Sequence, residues 1–159
     1  MPLLFLLIFL SACGSLPQQP PAPANAPTLR SAANGKGHDV AVYALGLIDT
    51  GYRFGGKNPA AGLDCSGMVS HVFAEAAGLK LVGSAADIAR KGRPVSVDQI
   101  KPGDLVFFNT RNKAHSHVGI YIGDDRFVHA PKSNGRVRTE SLKQAYFAAR
   151  FEEARSYFD

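Results

Sequence analysis

The spacing of apolar positions divides the chain into helices that come first and strands that follow. One apolar stripe has helical spacing and comprises Val40, Tyr43, Ala44, Leu47 and Ile48. Asp39 is its predicted N-cap, and Gly51 its predicted stop. A second stripe ends at Gly78 and comprises Met68, Val69, Val72, Phe73 and Ala76. A short third helix is predicted to start at Ser84, with Asp87 as its capping partner.

From Pro102 onward the pattern changes to that of β-strands. Residues 105–109 form one short apolar strand, and residues 117–122 and 127–130 flank a polar turn. Because helices come first and antiparallel strands follow, the pattern predicts an α+β fold rather than alternating α/β units.

The length of the hairpin turn decides whether His117 and His129 meet. A two-residue loop would pair Ile120 with His129 and place the two histidines on opposite faces of the sheet. A three-residue loop, residues 123–125, would pair Gly119 with His129 and bring both imidazoles to one face as diagonal neighbours. The second register also collects the apolar side chains of both strands on the other face, and we therefore predict it.

The first residues indicate export. Residues 1–12 form a short apolar run that is too short to span a membrane and fits a secretory signal peptide. The run ends at Leu10-Ser11-Ala12-Cys13, which resembles a lipobox and predicts lipidation of Cys13. The alternative is an ordinary cleaved signal in which Cys13 has no role.

Three segments are predicted from composition. They are the signal peptide at 1–12, a lipidated N-terminus with a Pro/Ala-rich tether at 13–37, and a folded domain at 38–159. The net charge of +5 favours acidic partners. Export argues against nucleic acid and favours an acidic cell-wall polymer.

Cys65 has a placement that favours chemistry over packing. If Cys13 carries lipid, Cys65 is a lone thiol in a compartment that oxidises thiols. It falls at the start of the second helix, where the backbone N–H groups and the helix dipole favour an anion and can lower a thiol pKa. The alternative is a small buried cysteine, against which the polar neighbours Asp64 and Ser66 argue.

The hairpin histidines supply what a thiol nucleophile needs. His117 is the predicted general base, and His129 the residue that fixes its orientation. Two other interpretations stay open. Cys65, His117 and His129 could bind zinc, although they lack a clear fourth ligand. Ser66 could be a nucleophile, although Asp64 occupies the first glycine position of the Gly-x-Ser-x-Gly pattern.

These residues occur in blocks that resemble the NlpC/p60 family of bacterial cell-wall cysteine peptidases over roughly residues 38–155. The blocks are 52–56 (YRFGG), 63–67 (LDCSG), 102–108 (PGDLVFF), 116–123 (SHVGIYIG) and 127–130 (FVHA). Each block alone is weak, whereas the ordered set is highly specific. One departure is Val82-Gly83, where many relatives carry Pro-Arg, so a substrate-facing arginine is expected to be absent there.

The resemblance implies a papain-like α+β fold in which N-terminal helices pack on a mainly antiparallel sheet. It implies Cys65 as nucleophile, His117 as base and His129 as orienting residue. Tyr52 is expected to assist the oxyanion, with Asp64 and Ser66 beside it in the oxyanion or substrate region.

The same resemblance implies a peptidoglycan endopeptidase that cleaves γ-D-Glu–diaminopimelate or diaminopimelate–D-Ala bonds. No cofactor or metal is expected. We also expect a monomeric outer-membrane lipoprotein that faces the periplasm of a Gram-negative envelope. The alternatives are a cysteine amidase or acyltransferase with another substrate, and a wall-binding lipoprotein without catalysis.

Overall fold

A computed structural model describes residues 29–132 and 135–158, with side chains from residue 35 onward. The predicted signal peptide, Cys13 and the tether up to residue 28 lie outside the described residues. The helices are α1 (Leu29–Leu45), α2 (Cys65–Ala77), α3 (Ala85–Ala89) and α4 (Ala145–Ala148). The strands are β1 (Lys57–Asn58), β2 (Gly62–Leu63), β3 (Arg93–Val95), β4 (Leu105–Phe108), β5 (His117–Gly123), β6 (Arg126–His129), β7 (Arg138–Ser141) and β8 (Phe151–Ser156).

The predicted α+β architecture is confirmed. One antiparallel sheet has the strand order β3-β8-β4-β5-β6-β7, and β1 pairs with β2 in a separate small hairpin. The side chains of β4 alternate between two cores. Leu105 and Phe107 join the core formed with α1, α2 and α3, whereas Val106 and Phe108 pack with Phe147 of α4 on the other face.

The first helix differs from its prediction at both ends. It begins at Leu29, inside the segment predicted as tether, and ends at Leu45 rather than near Gly51. Asp39 is therefore an interior residue and not the N-cap. Gly37, one of the helical residues in that segment, lies against the backbone of Gly103 and Pro102, where a side chain would overlap it. That contact supports helical residues that composition alone assigned to a linker.

Helices α2 and α3 follow their predictions. Helix α2 begins at Cys65 and ends at Ala77, and its cap is the predicted Gly78, which adopts a left-handed conformation with φ 67°. Its predicted stripe from Met68 to Phe73 is buried. Helix α3 has the predicted capping box, in which Ser84 and Asp87 bond to each other's backbone N–H groups.

The hairpin has the predicted register but a shorter turn. Ile120 pairs with Val128 and Tyr121 with Phe127, so Gly119 faces His129 as expected. The turn itself contains only Asp124 and Asp125, both with positive φ, as in a type I′ turn. A β-bulge between Tyr121 and Gly123 supplies the extra residue and restores the register.

Several elements carry too weak a pattern for sequence-based prediction. Strands β1 and β2 have two residues each, β3 contains a proline, and α4 has four residues. Strand β8 lies between β3 and β4 in the sheet although its sequence, FEEARS, contains two glutamates, one arginine and one serine. Within the part of the chain that the structure describes, no helix has both the length and the apolar character required to cross a membrane.

A contact between two glycines joins α2 to the loop that precedes β1. A methyl group on Gly67, in the first turn of α2, would overlap the carbonyl oxygen of Gly56. The helix can therefore approach the loop only because residue 67 has no side chain.

We predict that Gly67→Ala lowers the free energy of unfolding by about 1–3 kcal/mol, the usual cost of overpacking. Urea unfolding measures this. Gly51→Ala is the matched control, because a Cβ at Gly51 meets no atom within 4 Å. Equal stability of the two variants would contradict the glycine contact.

Candidate active site

Asp64 sets the position of Cys65 at the start of α2. One oxygen of its carboxylate accepts the Gly67 N–H at 2.7 Å and the Ser66 hydroxyl at 3.1 Å. The other oxygen accepts the Gly55 N–H at 2.8 Å. Asp64 thus caps the helix and ties it to the loop that follows Tyr52. As the first helical residue, Cys65 has a backbone N–H without an intrahelical acceptor.

Backbone bonds hold Tyr52 next to the helix start. Its N–H donates to the Gly135 carbonyl at 2.9 Å, and the residue forms a parallel β-bridge with Leu63, two positions before Cys65. The tyrosine side chain is partly buried and lines the same cleft as the thiol.

The two predicted histidines are in direct contact. Nε2 of His117 and Nδ1 of His129 lie 2.7 Å apart in a hydrogen bond between buried side chains. His117 is the first residue of β5, and His129 the last residue of β6. The confirmed register therefore creates this pair, and only Nδ1 of His117 remains available to a further group.

Aromatic rings surround the histidine pair on the face of the sheet away from α2. Phe147 and Phe127 contact the His129 ring with centroids 5.3 and 5.2 Å away, and Phe108 lies 6.2 Å from His117. The Nε2 atom of His129 is buried without a hydrogen-bond partner. If His117 donates from Nε2, His129 accepts at Nδ1 and carries its own proton on this enclosed nitrogen.

An open cleft with a volume of about 870 Å³ connects these groups. Tyr52, Cys65, His117 and His129 all line it, as do Asp64 and Ser66. The backbone N–H of Val118, the residue after His117, lowers the pKa of the Cys65 thiol, so the thiol lies close to the start of β5. The structure therefore brings together every predicted site residue that it describes.

The electrostatics of the thiol differ from the sequence-based expectation. Burial raises the pKa of Cys65, and the Asp64 carboxylate raises it further. The N–H groups of Val118 and Ser66 and the Arg111 guanidinium lower that pKa but do not offset burial. The position at the helix terminus predicts a lowered pKa, and the structure shows the opposite direction. The Cys65 side chain is instead a protonated thiol in the resting protein at neutral pH.

The imidazoles are neutral for the same physical reason. Burial, reinforced by the charge of Arg111, lowers the pKa of His117 to about 4. Burial also places the pKa of His129 well below its ordinary range, and His117 and Arg138 lower it further. A protonated thiol next to a neutral imidazole can react by proton transfer during attack, with no preformed ion pair.

The remaining predicted residues, Tyr52, Asp64 and Ser66, have defined contacts in the cleft. Burial, Cys65 and Asp64 raise the pKa of Tyr52, so its hydroxyl stays a hydrogen-bond donor. The carboxylate of Asp64 accepts bonds and caps α2, and the Ser66 hydroxyl donates to it. Any role of Asp64 or Ser66 towards a substrate stays a prediction.

The other histidines lie outside the pair. His71 bonds the Tyr43 hydroxyl at 3.2 Å, His38 is exposed on α1, and His115 contacts Glu153 at 2.8 Å.

Among residues 29–132 and 135–158, no group of three or more His, Cys, Asp or Glu side chains is arranged to hold a metal ion. Nε2 of His117 and Nδ1 of His129 bond each other, whereas in a zinc site both imidazoles would direct a nitrogen at the metal.

Sequence reasoning missed the groups that support the site from the β4–β5 loop and from α4. The buried Ser116 hydroxyl accepts the N–H groups of Thr110 and Arg111 at 2.9 and 3.2 Å, which fixes this loop beside His117. Arg111 and Phe147 line the cleft. Only the position of Ser116 next to His117 gave a signal, since loop residues and a four-residue helix have no periodicity to detect.

Comparisons with known proteins agree with this geometry. The profile of the NlpC/P60 family matches residues 49–156. The chain is 42% identical over 104 residues to the murein DD-endopeptidase MepS/murein LD-carboxypeptidase of Escherichia coli K12, covering 65% of this chain and 54% of the relative. It is 40% identical over 111 residues to the gamma-DL-glutamyl hydrolase of Bacillus subtilis 168, covering 69% of this chain and 27% of the relative.

The solved structures give the same result. The NlpC/p60 domain of the peptidoglycan hydrolase SagA superposes with a TM-score of 0.66 at 31% identity, covering 76% of this chain and 97% of that domain. The first curated relatives are longer proteins, of whose length this chain covers between 27% and 56%.

The buried neutral histidines predict a loss of stability in acid. Their pKa values are lowered in the folded protein, so below pH 6.5 the unfolded chain binds more protons and stability falls as pH falls. Between pH 7 and pH 5 each histidine should cost about 2 kcal/mol of unfolding free energy. Urea unfolding at both pH values measures this. His129→Gln should show a smaller loss, and an equal loss in the wild type and the variant would contradict the prediction.

Proposed function

Because the chain belongs to the NlpC/P60 family, we propose that it is a peptidoglycan endopeptidase that cleaves peptide bonds through the thiol of Cys65. The observation that carries this proposal is the cleft that joins Cys65 to the buried His117–His129 pair. A thiol, an imidazole and a group that orients the imidazole are the parts that cysteine acyl transfer requires. The proposed substrates are the stem peptides and cross-links of peptidoglycan.

The first half of the reaction forms a thioester. The Cys65 sulfur attacks the carbonyl carbon of the scissile bond while its proton passes to Nδ1 of His117, the nitrogen not bonded to His129. The carbonyl electron pair moves to oxygen, where the Cys65 N–H and the Tyr52 hydroxyl stabilise it. His117 then gives the proton to the amide nitrogen, the C–N bond breaks, and the amine product leaves.

The second half releases the acid product. His117 takes a proton from water as the water oxygen attacks the thioester carbon. The C–S bond then breaks, and the proton returns from His117 to the sulfur. Throughout the cycle, His129 orients the His117 ring and accepts the hydrogen bond from its Nε2–H. No cofactor enters this cycle.

The substrate bond is either γ-D-Glu–diaminopimelate or diaminopimelate–D-Ala. Two relatives support this range, since one is named a murein DD-endopeptidase and another a gamma-DL-glutamyl hydrolase. Both bonds lie in peptides rich in carboxylates, which a chain with a net charge of +5 attracts.

The proposed location is the periplasmic side of the outer membrane. Its support is the sequence Leu10-Ser11-Ala12-Cys13, whose lipidation would anchor a monomeric catalytic domain through the Pro/Ala-rich segment. In this proposal the signal ends at residue 12 and the tether extends from 13 to the start of α1 at Leu29.

Removal of the nucleophile tests the proposal. The purified protein should release fragments from defined tetrapeptide and cross-linked muropeptides, with the cleaved bond identified by mass spectrometry. Cys65→Ala should reduce release to background, because no other group supplies the attacking electron pair. An unchanged urea midpoint serves as the control for folding. Fragment release by Cys65→Ala would contradict the mechanism, and a wild type that leaves all these peptides intact would contradict the substrate.

Removal of a hydroxyl tests the proposed oxyanion role of Tyr52. Tyr52→Phe should lower kcat by about 10²–10³-fold with a smaller effect on KM, the usual result of losing one oxyanion donor. Tyr43→Phe is the matched control, since its hydroxyl bonds His71 and Tyr43 does not line the cleft. Similar kcat values for the two variants would rule out this role.

A further inference from the structure

Arg111 occupies a fixed position in the cleft that the proposed reaction does not use. It lies in the loop between β4 and β5, and its Nη2 donates to the carbonyl oxygen of Ser116 at 2.9 Å. Its backbone N–H donates to the Ser116 hydroxyl at 3.2 Å. Ser116 is buried and directly precedes His117. The backbone bond fixes the loop, and the bond to the Ser116 carbonyl holds one end of the guanidinium near the proposed base.

The charge of Arg111 has no carboxylate partner among the described residues. Two other charged residues of the cleft are engaged within the protein: Arg138 bonds Glu140 at 2.7 Å, and Asp64 accepts three hydrogen bonds. Lys113 and Lys132 also line the cleft, but only Arg111 has its cationic group bonded to the residue that precedes His117. A guanidinium has five N–H donors in a planar fork, and Arg111 uses one of them for the bond to the Ser116 carbonyl. The remaining donors are available to a ligand.

The positive charge of Arg111 acts electrostatically on the reacting groups of the site. It lowers the pKa of Tyr52, Cys65 and His117 alike. For His117 this effect opposes the protonation that must occur when the thiol attacks. An anionic group bound to Arg111 would offset that cost only when substrate is present, which favours a ligand with negative charge near the scissile bond.

We propose that Arg111 binds a free carboxylate of the peptide next to the scissile bond and thereby makes the enzyme selective for substrates that carry one. This inference rests on the proposed peptidase function. A guanidinium can bind a carboxylate through two parallel N–H···O bonds, whereas a neutral carboxamide offers only one acceptor oxygen and no charge. The second carboxylate of diaminopimelate has the chemistry that this site requires.

Matched peptides test the inference. Each pair has the same sequence and differs only in whether the side-chain carboxylate next to the scissile bond is free or is a carboxamide. The wild type should cleave the carboxylate peptide with a kcat/KM about 10- to 100-fold higher, the range for one charge-assisted contact. In Arg111→Gln this ratio should approach unity, and Arg111→Lys should retain part of it.

A matched control separates binding from overall charge. Arg126→Gln removes the same charge from a residue outside the cleft lining, paired with Asp124, and should keep the wild-type ratio. An unchanged ratio in Arg111→Gln would overturn the inference, as would a wild type that cleaves both peptides alike. Those two results leave the peptidase function intact, whereas a wild type that cleaves neither peptide contradicts the function itself.

Discussion

The hydrogen bond between His117 and His129 is the constraint on which the site depends. It requires the two strands to pair with Gly119 opposite His129, because any one-residue slip would move the imidazoles to opposite faces. The bulge in β5 keeps that register despite a two-residue turn. With Nε2 engaged at 2.7 Å, His117 has only Nδ1 left for the thiol. The hairpin thus determines both the position and the usable nitrogen of the base.

Burial of this pair explains the electrostatics of the cleft. Aromatic rings and the sheet exclude water, so the neutral forms of both imidazoles are favoured, and the same desolvation favours the protonated thiol of Cys65. The reactivity of the site therefore depends on how the thiol and the imidazole are positioned, and not on an ion pair between them in the resting protein. Charge develops only during attack, where the Cys65 N–H, the Tyr52 hydroxyl and a substrate anion on Arg111 would each stabilise it.

The sequence predicted the site better than it predicted the fold around it. Helix α2, the hairpin register and the meeting of His117 with His129 follow from local periodicity and turn geometry, which act over a few residues. The contact of Gly37 in α1 with Gly103 and the position of β8 inside the sheet join distant segments, so no local pattern encodes them. The loop that carries Arg111 is held by bonds to Ser116, five residues away, and has no periodic pattern that would reveal them. The helix start predicts a lowered pKa for the Cys65 thiol, and this prediction is wrong, because the burial that raises the pKa is a property of the assembled cleft.

The central claim is that Cys65 rests as a thiol next to a neutral His117. The most direct test is the pH dependence of Cys65 alkylation by iodoacetamide in the free protein, quantified on the peptide that contains Cys65. The account predicts a rate that is low at neutral pH and rises with an apparent pKa above about 8.5, the ordinary value for a cysteine. A high rate that is constant from pH 5 to pH 8 would mean a preformed thiolate–imidazolium pair and would contradict it.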